Sequence, residues 1–356
     1  MPSLFRHDAG FSGVWWLPNG HAHTIYTFFS RDDDAILYER TLISVLDGGT
    51  LALDVTPSLA AKPRKHLEPI LLVTHGLTGG SHESYVRAAL HKLTASTSAG
   101  GLSLRAVVMN SRGCNRSPVT SAMLYHAGTT DDIRHAILWI SQNFPLSPIF
   151  ALGFSLGANA LTKYAGEEGD SCPLSAMMSV ANVWDFTKGS HHIERGSVFN
   201  RLVYNNVLGG ALRSLLYTHR HAFEKDPSSP IRGPRLETLF RKNLVSLRAY
   251  DELITTKLYG FHSADDYYAT ISSIRFISKI RVPFLSLNAM DDPIVGANTL
   301  PICEALTNPW TVLARTGKGG HLGWYERAPD GSLRRWYVAP VYEFLSAMIS
   351  VRVHSI

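Results

Sequence analysis

Pro148-Ile149-Phe150-Ala151-Leu152-Gly153-Phe154-Ser155-Leu156-Gly157-Ala158-Asn159-Ala160-Leu161 is the stretch on which the reading of this chain turns. Its apolar start, closed by Gly153, predicts a buried strand. Gly153-Phe154-Ser155-Leu156-Gly157 predicts a sharp turn, and the run from Ala158 to Ala165 opens a helix. In such a strand, elbow and helix the serine is held in a strained conformation that lifts its hydroxyl above the sheet, while the two glycines let strand and helix approach. The Leu156 amide points at the helix N-terminus, where developing negative charge is stabilised. Ser155 is thus a candidate nucleophile, and its use depends on finding a base, an acid and a second oxyanion donor elsewhere.

Working outward, the elbow is one of several strand-and-helix units. Leu37 to Pro57 alternates around Asp47-Gly48-Gly49-Thr50 and predicts an antiparallel hairpin. Pro69 to Gly76 is a continuous apolar strand of the kind buried on both faces. A helix from about 83 to 96 follows, capped by Ser81, then a strand at 104–110, a helix at about 130–143 and, after the elbow, a strand at 176–180. Strands alternating with such helices imply right-handed crossovers: an α/β fold with a mostly parallel central sheet and helices on both faces.

From 184 to 261 the rhythm breaks. Helix-like runs at 199–219 and 236–258, separated by Asp226-Pro227-Ser228-Ser229-Pro230, supply no core strand and read as a helical cap insertion. Trp184, Phe199, Tyr204 and Phe261 in or beside it suit either an acyl tunnel or, more in keeping with their spacing, the cap's own core. The sheet resumes at 283–288 and 311–314, and a helix at 337–351 closes the chain. The core is therefore one domain, 1–183 with 262–356, carrying an N-terminal arm at 1–35.

The 356 residues suffice to bury a full core, and 45% hydrophobic with 18% charged residues describe an ordinary globular protein. A net charge of +5, without a Lys/Arg cluster interleaved with aromatics, excludes a nucleic-acid groove. Cys114, Cys172 and Cys303 are odd in number and widely spaced, which fits a reducing compartment better than a disulfide framework or a zinc site. Met1 to Asp8, with Arg6, His7 and Asp8, has no signal-peptide core, and no apolar run reaches the roughly 18 residues of a membrane span. His354-Ser355-Ile356 is not the usual peroxisomal address. The expectation is an intracellular, cytoplasmic protein without a transmembrane segment, compatible with peripheral membrane contact. His21 and His23 would share a side of an extended segment, but no further ligands lie near them, so packing or a place at the substrate mouth is favoured over a metal site.

In a sheet of this kind ligands bind beyond the carboxyl ends of the strands. Asp291-Asp292-Pro293-Ile294-Val295 follows one late strand, and Gly317-Lys318-Gly319-Gly320-His321 follows the last. Serine, aspartate, histidine is the chain order of a nucleophile-elbow hydrolase. His321 would take the Ser155 proton, and an aspartate would hold its tautomer. Asp292, directly before Pro-Ile-Val, is favoured, with Asp291 as the alternative. The oxyanion donors would be the backbone amides of Leu156 and, from the turn after His75-Gly76, Leu77.

His-Gly-Leu-Thr-Gly-Gly at 75–80, Asn-Ser-Arg-Gly-Cys at 110–114, Gly-Phe-Ser-Leu-Gly-Ala-Asn at 153–159 and Asn-Ala-Met-Asp-Asp-Pro at 288–293 resemble the YheT-like, or embryogenesis-associated, branch of the α/β-hydrolases. Leu-Pro-Asn-Gly-His-Ala-His-Thr at 17–24 is similar to that branch's N-terminal signature. The resemblance implies the α/β-hydrolase fold, a Ser155, Asp292 and His321 triad, and no cofactor or metal. It further implies an activity among medium-chain esterases, acyl-CoA:alcohol acyltransferases, monoacylglycerol lipases and medium-chain phospholipases. This chain departs from some relatives in showing no N-terminal membrane segment, which weighs against a membrane-lipid substrate.

The expected function is cleavage or transfer of small-to-medium acyl groups of esters or thioesters, an acyl ester or acyl-CoA being the small-molecule partner, through an acyl-serine that water or an alcohol resolves. One alternative is a tailoring enzyme acting on a single biosynthetic intermediate. Another is a non-catalytic binding module on the same scaffold, against which the intact Ser, Asp and His argue.

Overall fold

Asp47-Gly48-Gly49 reverses the chain between β1 (Glu39–Ser44) and β2 (Thr50–Thr56), with Gly48 at φ +76°. The computed structural model describes residues 1–4, 10–30 and 35–353; Arg6, His7, Asp8 and the C-terminal tripeptide lie outside the described residues. A helix, α1 (Gly20–Phe29), precedes the hairpin. After it come β3 (Ile70–Thr74), α2 (Ser84–Thr94), β4 (Arg105–Asn110), α3 (Asp131–Asn143), β5 (Ile149–Phe154), α4 (Leu156–Glu168) and β6 (Leu174–Val180). With β7 (Phe284–Ala289) and β8 (Thr311–Thr316) these form an eight-stranded sheet in the order β1-β2-β4-β3-β5-β6-β7-β8. Only β2 runs antiparallel to its neighbours, and β4 through β8 pair in parallel.

Side chains alternate across a strand, so each strand feeds two cores. Leu72, Val107 and Ala151 face α3 and α4, packing with Ile137, Ile140 and Leu161. Leu71, Val73, Val108 and Leu152 face α2 and the C-terminal helix, packing with Ala89, Leu90, Leu93, Val341 and Leu345. Each fully buried aliphatic side chain contributes about 2 kcal/mol, so the two layers hold the central strands rigid under the elbow. The cap expected from Ser81 is not made: α2 starts after Glu83 without a side-chain cap bond, and the Ser81 hydroxyl donates to the buried Asp54 carboxylate at 2.5 Å. The charged acceptor outcompetes a neutral cap.

Between β6 and β7 lie α5 (Phe186–Arg195), α6 (Asn205–Thr218), α7 (Arg220–Lys225), α8 (Pro234–Phe240), α9 (Leu247–Tyr250), α10 (Thr256–Tyr259) and α11 (Ala264–Ile271). Leu212, Leu216, Phe223, Leu236, Leu239 and Ile254 give this insertion an apolar centre of its own. The run at 236–258 is not one helix. The chain at 245–247 crosses α6 so closely that a Cβ on Gly209 would lie 2.2 Å from the Val245 carbonyl, and Ser246 then caps α9 by accepting from the Ala249 amide. Single π-helical turns at Asn200–Tyr204 and Asp251–Thr255 join the pieces. After β7 come α12 (Ile302–Thr307), a two-stranded hairpin of β9 (Tyr325–Arg327) and β10 (Leu333–Arg335), and α13 (Val338–Val353). Among the described residues no helix is long and apolar enough to cross a membrane.

Candidate active site

Ser155 ends β5 and opens α4 with φ +51° and ψ −118°, a conformation that costs a β-substituted residue about 1–3 kcal/mol. The strain is held by packing that only glycine permits on either side. A Cβ on Gly153 would lie 2.6 Å from the Ala158 Cα, and one on Gly157 would lie 2.4 Å from the His75 carbonyl oxygen. The Ser155 amide donates to the Val180 carbonyl at 3.0 Å, tying the elbow to β6.

His321 Nε2 lies 2.8 Å from Ser155 Oγ, and His321 Nδ1 lies 2.8 Å from Asp292 Oδ2. Asp292 Oδ1 accepts the amides of Ile294 and Val295 at 2.8 and 2.9 Å, so both carboxylate oxygens are engaged and the carboxylate is held in one orientation. With the Nδ1 proton donated to Asp292, the Nε2 lone pair faces the serine hydroxyl. All three side chains are buried. Asp291 turns elsewhere: its Oδ1 accepts the Gly320 amide at 2.9 Å, and burial, followed by the charge of Asp292, raises its pKa.

The amides of Leu156 and Leu77 donate to no protein acceptor among the described residues, and both residues line the cavity that Ser155 faces. The Gly76 carbonyl is held by His75 Nδ1–H at 2.7 Å and the Gly79 amide at 3.2 Å. A trans peptide directs its N–H opposite its C=O, so these two bonds fix the direction of the Leu77 N–H. His75 Nε2 accepts the Ser111 amide at 3.0 Å, and burial lowers the His75 pKa to about 4, which keeps that ring neutral.

The cavity is narrow and mostly apolar. Leu77, Leu156, Val183, Phe186, Ile193, Leu208, Leu212 and Ile294 line it beside Ser155, and Tyr125, His126, Asp251 and Tyr268 add polar groups. Trp184, Phe199, Tyr204 and Phe261 are not among its lining residues. Trp184 is fully buried with its Nε1–H on Asn288 Oδ1 at 3.0 Å, Tyr204 stacks on His21, and Phe261 packs against His126 and Tyr267. Phe199 meets the rings of His21 and Tyr204 edge-on.

The segment of His21 and His23, read as extended, lies in the helix Gly20–Phe29, capped by the Asn19 side chain, which accepts the Ala22 amide. His21 and His23 therefore diverge. His21 Nδ1 meets Tyr204 Oη at 3.1 Å, while His23 is buried with its Nδ1 accepting the Tyr325 amide at 3.3 Å. Among the described residues no group of three or more His, Cys, Asp or Glu side chains is arranged to hold a metal ion. The same helix supplies Thr24, whose hydroxyl accepts the His321 amide at 2.8 Å, and Gly20, where a Cβ would lie 1.8 Å from the Asp291 carbonyl oxygen. Neither contact was foreseen from sequence, although Asn19 ahead of Gly20 is an N-cap signal.

An antiparallel-started parallel sheet with a strained serine at its centre, facing a histidine and an aspartate from the ends of later strands, defines the class of α/β hydrolases. Residues 69–328 match the family model described as alpha/beta hydrolase fold, and the chain belongs to that family. It is 33% identical over 369 residues to the monoacylglycerol lipase of Saccharomyces cerevisiae, covering 92% of this chain and 78% of that protein. It is 34% identical over 341 residues to the embryogenesis-associated protein EMB8 of Picea glauca, covering 94% of this chain and 71% of that protein. Among solved structures, Est1E from Butyrivibrio proteoclasticus shares the fold with a TM-score of 0.51 at 14% identity, over 87% of this chain and 99% of that one.

Proposed function

We propose that the chain is a serine hydrolase of carboxylic esters and thioesters of small-to-medium acyl groups, working through an acyl-Ser155 intermediate with Asp292 and His321. The observation that carries this reading is the pair of 2.8 Å contacts linking Ser155, His321 and Asp292 at the wall of an apolar cavity. The name of the yeast relative, a lipase of glycerol esters, supports an ester as substrate.

In the first half-reaction Ser155 Oγ attacks the acyl carbonyl carbon as its proton passes to His321 Nε2. The carbonyl oxygen takes the electron pair as an oxyanion facing the Leu77 and Leu156 amides and the N-terminus of α4. Collapse breaks the bond to the alkoxy or thio group, which leaves with the proton from His321. Water then enters, its oxygen bonds to the acyl carbon as its proton passes to the same nitrogen, and collapse breaks the bond to Ser155 Oγ, which takes that proton back as the acid leaves. An alcohol in place of water yields a new ester, which is the acyl-transfer branch of the same chemistry. The helical insertion, residues 184–261, shapes the acyl cavity and with it chain-length preference. The three free thiols fit a reducing, intracellular compartment.

The test is turnover of a p-nitrophenyl ester series by the wild type and Ser155→Ala, with intact-mass trapping of the acyl-enzyme from mixed esters and acyl-CoAs. Full turnover by Ser155→Ala, or no adduct on Ser155, refutes the reading.

A further inference from the structure

The Leu77 amide sits between two amides that are already committed to side chains. The Gly76 N–H donates to Tyr85 Oη at 2.9 Å, and the Thr78 N–H donates to Tyr125 Oη at 2.7 Å. Three consecutive peptide planes are thereby pinned: the one before Gly76 by Tyr85, the one carrying the Leu77 N–H by His75 on the Gly76 carbonyl, and the one after Leu77 by Tyr125. The turn needs such restraint. Thr78 has φ +53°, an unfavourable conformation for a β-branched residue, so an unrestrained loop would relax away from it.

The two phenols are built into the fold. Tyr85 belongs to α2 and is buried, with its Oη 3.1 Å from where a Gly76 Cβ would sit and 2.9 Å from where a Gly79 Cβ would sit. The loop thus closes around that hydroxyl. Tyr125 reaches the loop from the other side, lines the cavity and lies beside the buried Cys114. Burial holds both phenols far above their ordinary pKa, so each remains a neutral hydroxyl with an oxygen free to accept.

We infer that Tyr85 and Tyr125 are positioning residues that aim the Leu77 amide at the oxyanion, acting through the amides on either side of it. The inference rests on the proposed function, because it presumes an oxyanion formed at Ser155. It adds two residues from separate elements that touch neither the nucleophile's proton path nor the acyl carbonyl.

The test uses Tyr85→Phe, Tyr125→Phe and the double variant, which keep the rings and remove the acceptors. Folded content is followed by thermal unfolding and competent sites by active-site titration. Each single variant is expected to lower kcat for a p-nitrophenyl ester roughly 10-fold at unchanged KM, a fraction of what loss of an entire oxyanion donor costs. Affinity for an alkyl trifluoromethyl ketone, which forms a tetrahedral adduct, should fall by a similar factor, while affinity for the isosteric ether should hold. Variants within twofold of wild type in kcat and ketone affinity overturn the inference, as does equal loss of ketone and ether binding, which marks the phenols as cavity packing alone. Failure of the wild type to form the ketone adduct is a separate result: it overturns the Ser155 assignment, and the inference with it.

Discussion

The backbone amide of His321 donates to the hydroxyl of Thr24 at 2.8 Å, a contact between residues 297 positions apart. Thr24 passes its own proton to the Gly20 carbonyl at 2.7 Å, so its oxygen is fixed as an acceptor and the loop carrying the imidazole hangs on α1. Thr24→Val keeps the shape and removes the acceptor. It should cost about 1–3 kcal/mol of stability and lower kcat/KM several-fold, read from urea unfolding and ester turnover. Gly20→Ala should be worse on both counts, because its Cβ has no room beside Asp291.

The adjacent aspartates separate cleanly by substitution. Asp292→Asn presents an amide to His321 Nδ1, which favours the tautomer with its proton on Nε2 and removes the base; kcat should fall about 10⁴-fold. Asp291→Asn can still accept the Gly320 amide and should stay within about 10-fold of wild type. Comparable losses in both variants would contradict the geometry described for the pair.

Leu212 and Ile193 line the cavity from α6 and α5. Leu212→Trp should shorten the space available to an acyl chain. Turnover of octanoyl and decanoyl esters should drop about 10-fold or more relative to acetyl and butyryl esters, measured as kcat/KM across the series. An unchanged chain-length profile would place the acyl group elsewhere.

Acid should destabilise the fold through three histidines. Burial lowers the pKa values of His23, His75 and His126 to about 4, 4 and 3, against about 6.5 in an unfolded chain. The unfolded state therefore binds more protons over this window, so the stability these residues lend is present above about pH 6.5 and is lost as pH falls toward 4. Asp251 opposes this: burial raises its pKa to about 6, so between about pH 4 and 6 its contribution is lost as pH rises. Asp291 and Glu83, whose pKa values burial also raises, act in the same sense as Asp251, and the three histidines still leave a net loss on the order of 2 kcal/mol between pH 7.5 and pH 5. Urea midpoints at the two pH values measure it, and equal midpoints would rule the balance out.

What was legible in the sequence follows from what each feature depends on. The elbow could be read because its requirements are local: two glycines, a serine and the apolar strand before it. The central strands could be read because burial on both faces favours apolar runs, as Ile70-Leu71-Leu72-Val73 and Ile149-Phe150-Ala151-Leu152 show. The helix at 20–29 could not, since Pro18, Gly20 and two histidines look like a loop and its stability comes from docking on Asp291 and His321. Strands β9 and β10, three residues each, are too short to display alternation. The cavity gathers single residues from distant segments, Leu77, Tyr125, Val183, Leu212 and Tyr268 among them, and no spacing rule connects those. Likewise the Tyr85 and Tyr125 bonds are made to main-chain amides, which leave no mark on residue type.

The hold that Thr24 has on His321 bears on how the protein can be cut. A fragment trimmed to the shared family region, 69–328, would retain Ser155, Asp292 and His321 yet discard both the arm from which the imidazole loop is suspended and the closing helix beneath the elbow. Such a fragment would keep the three side chains of the site and lose the contacts that hold one of them in place.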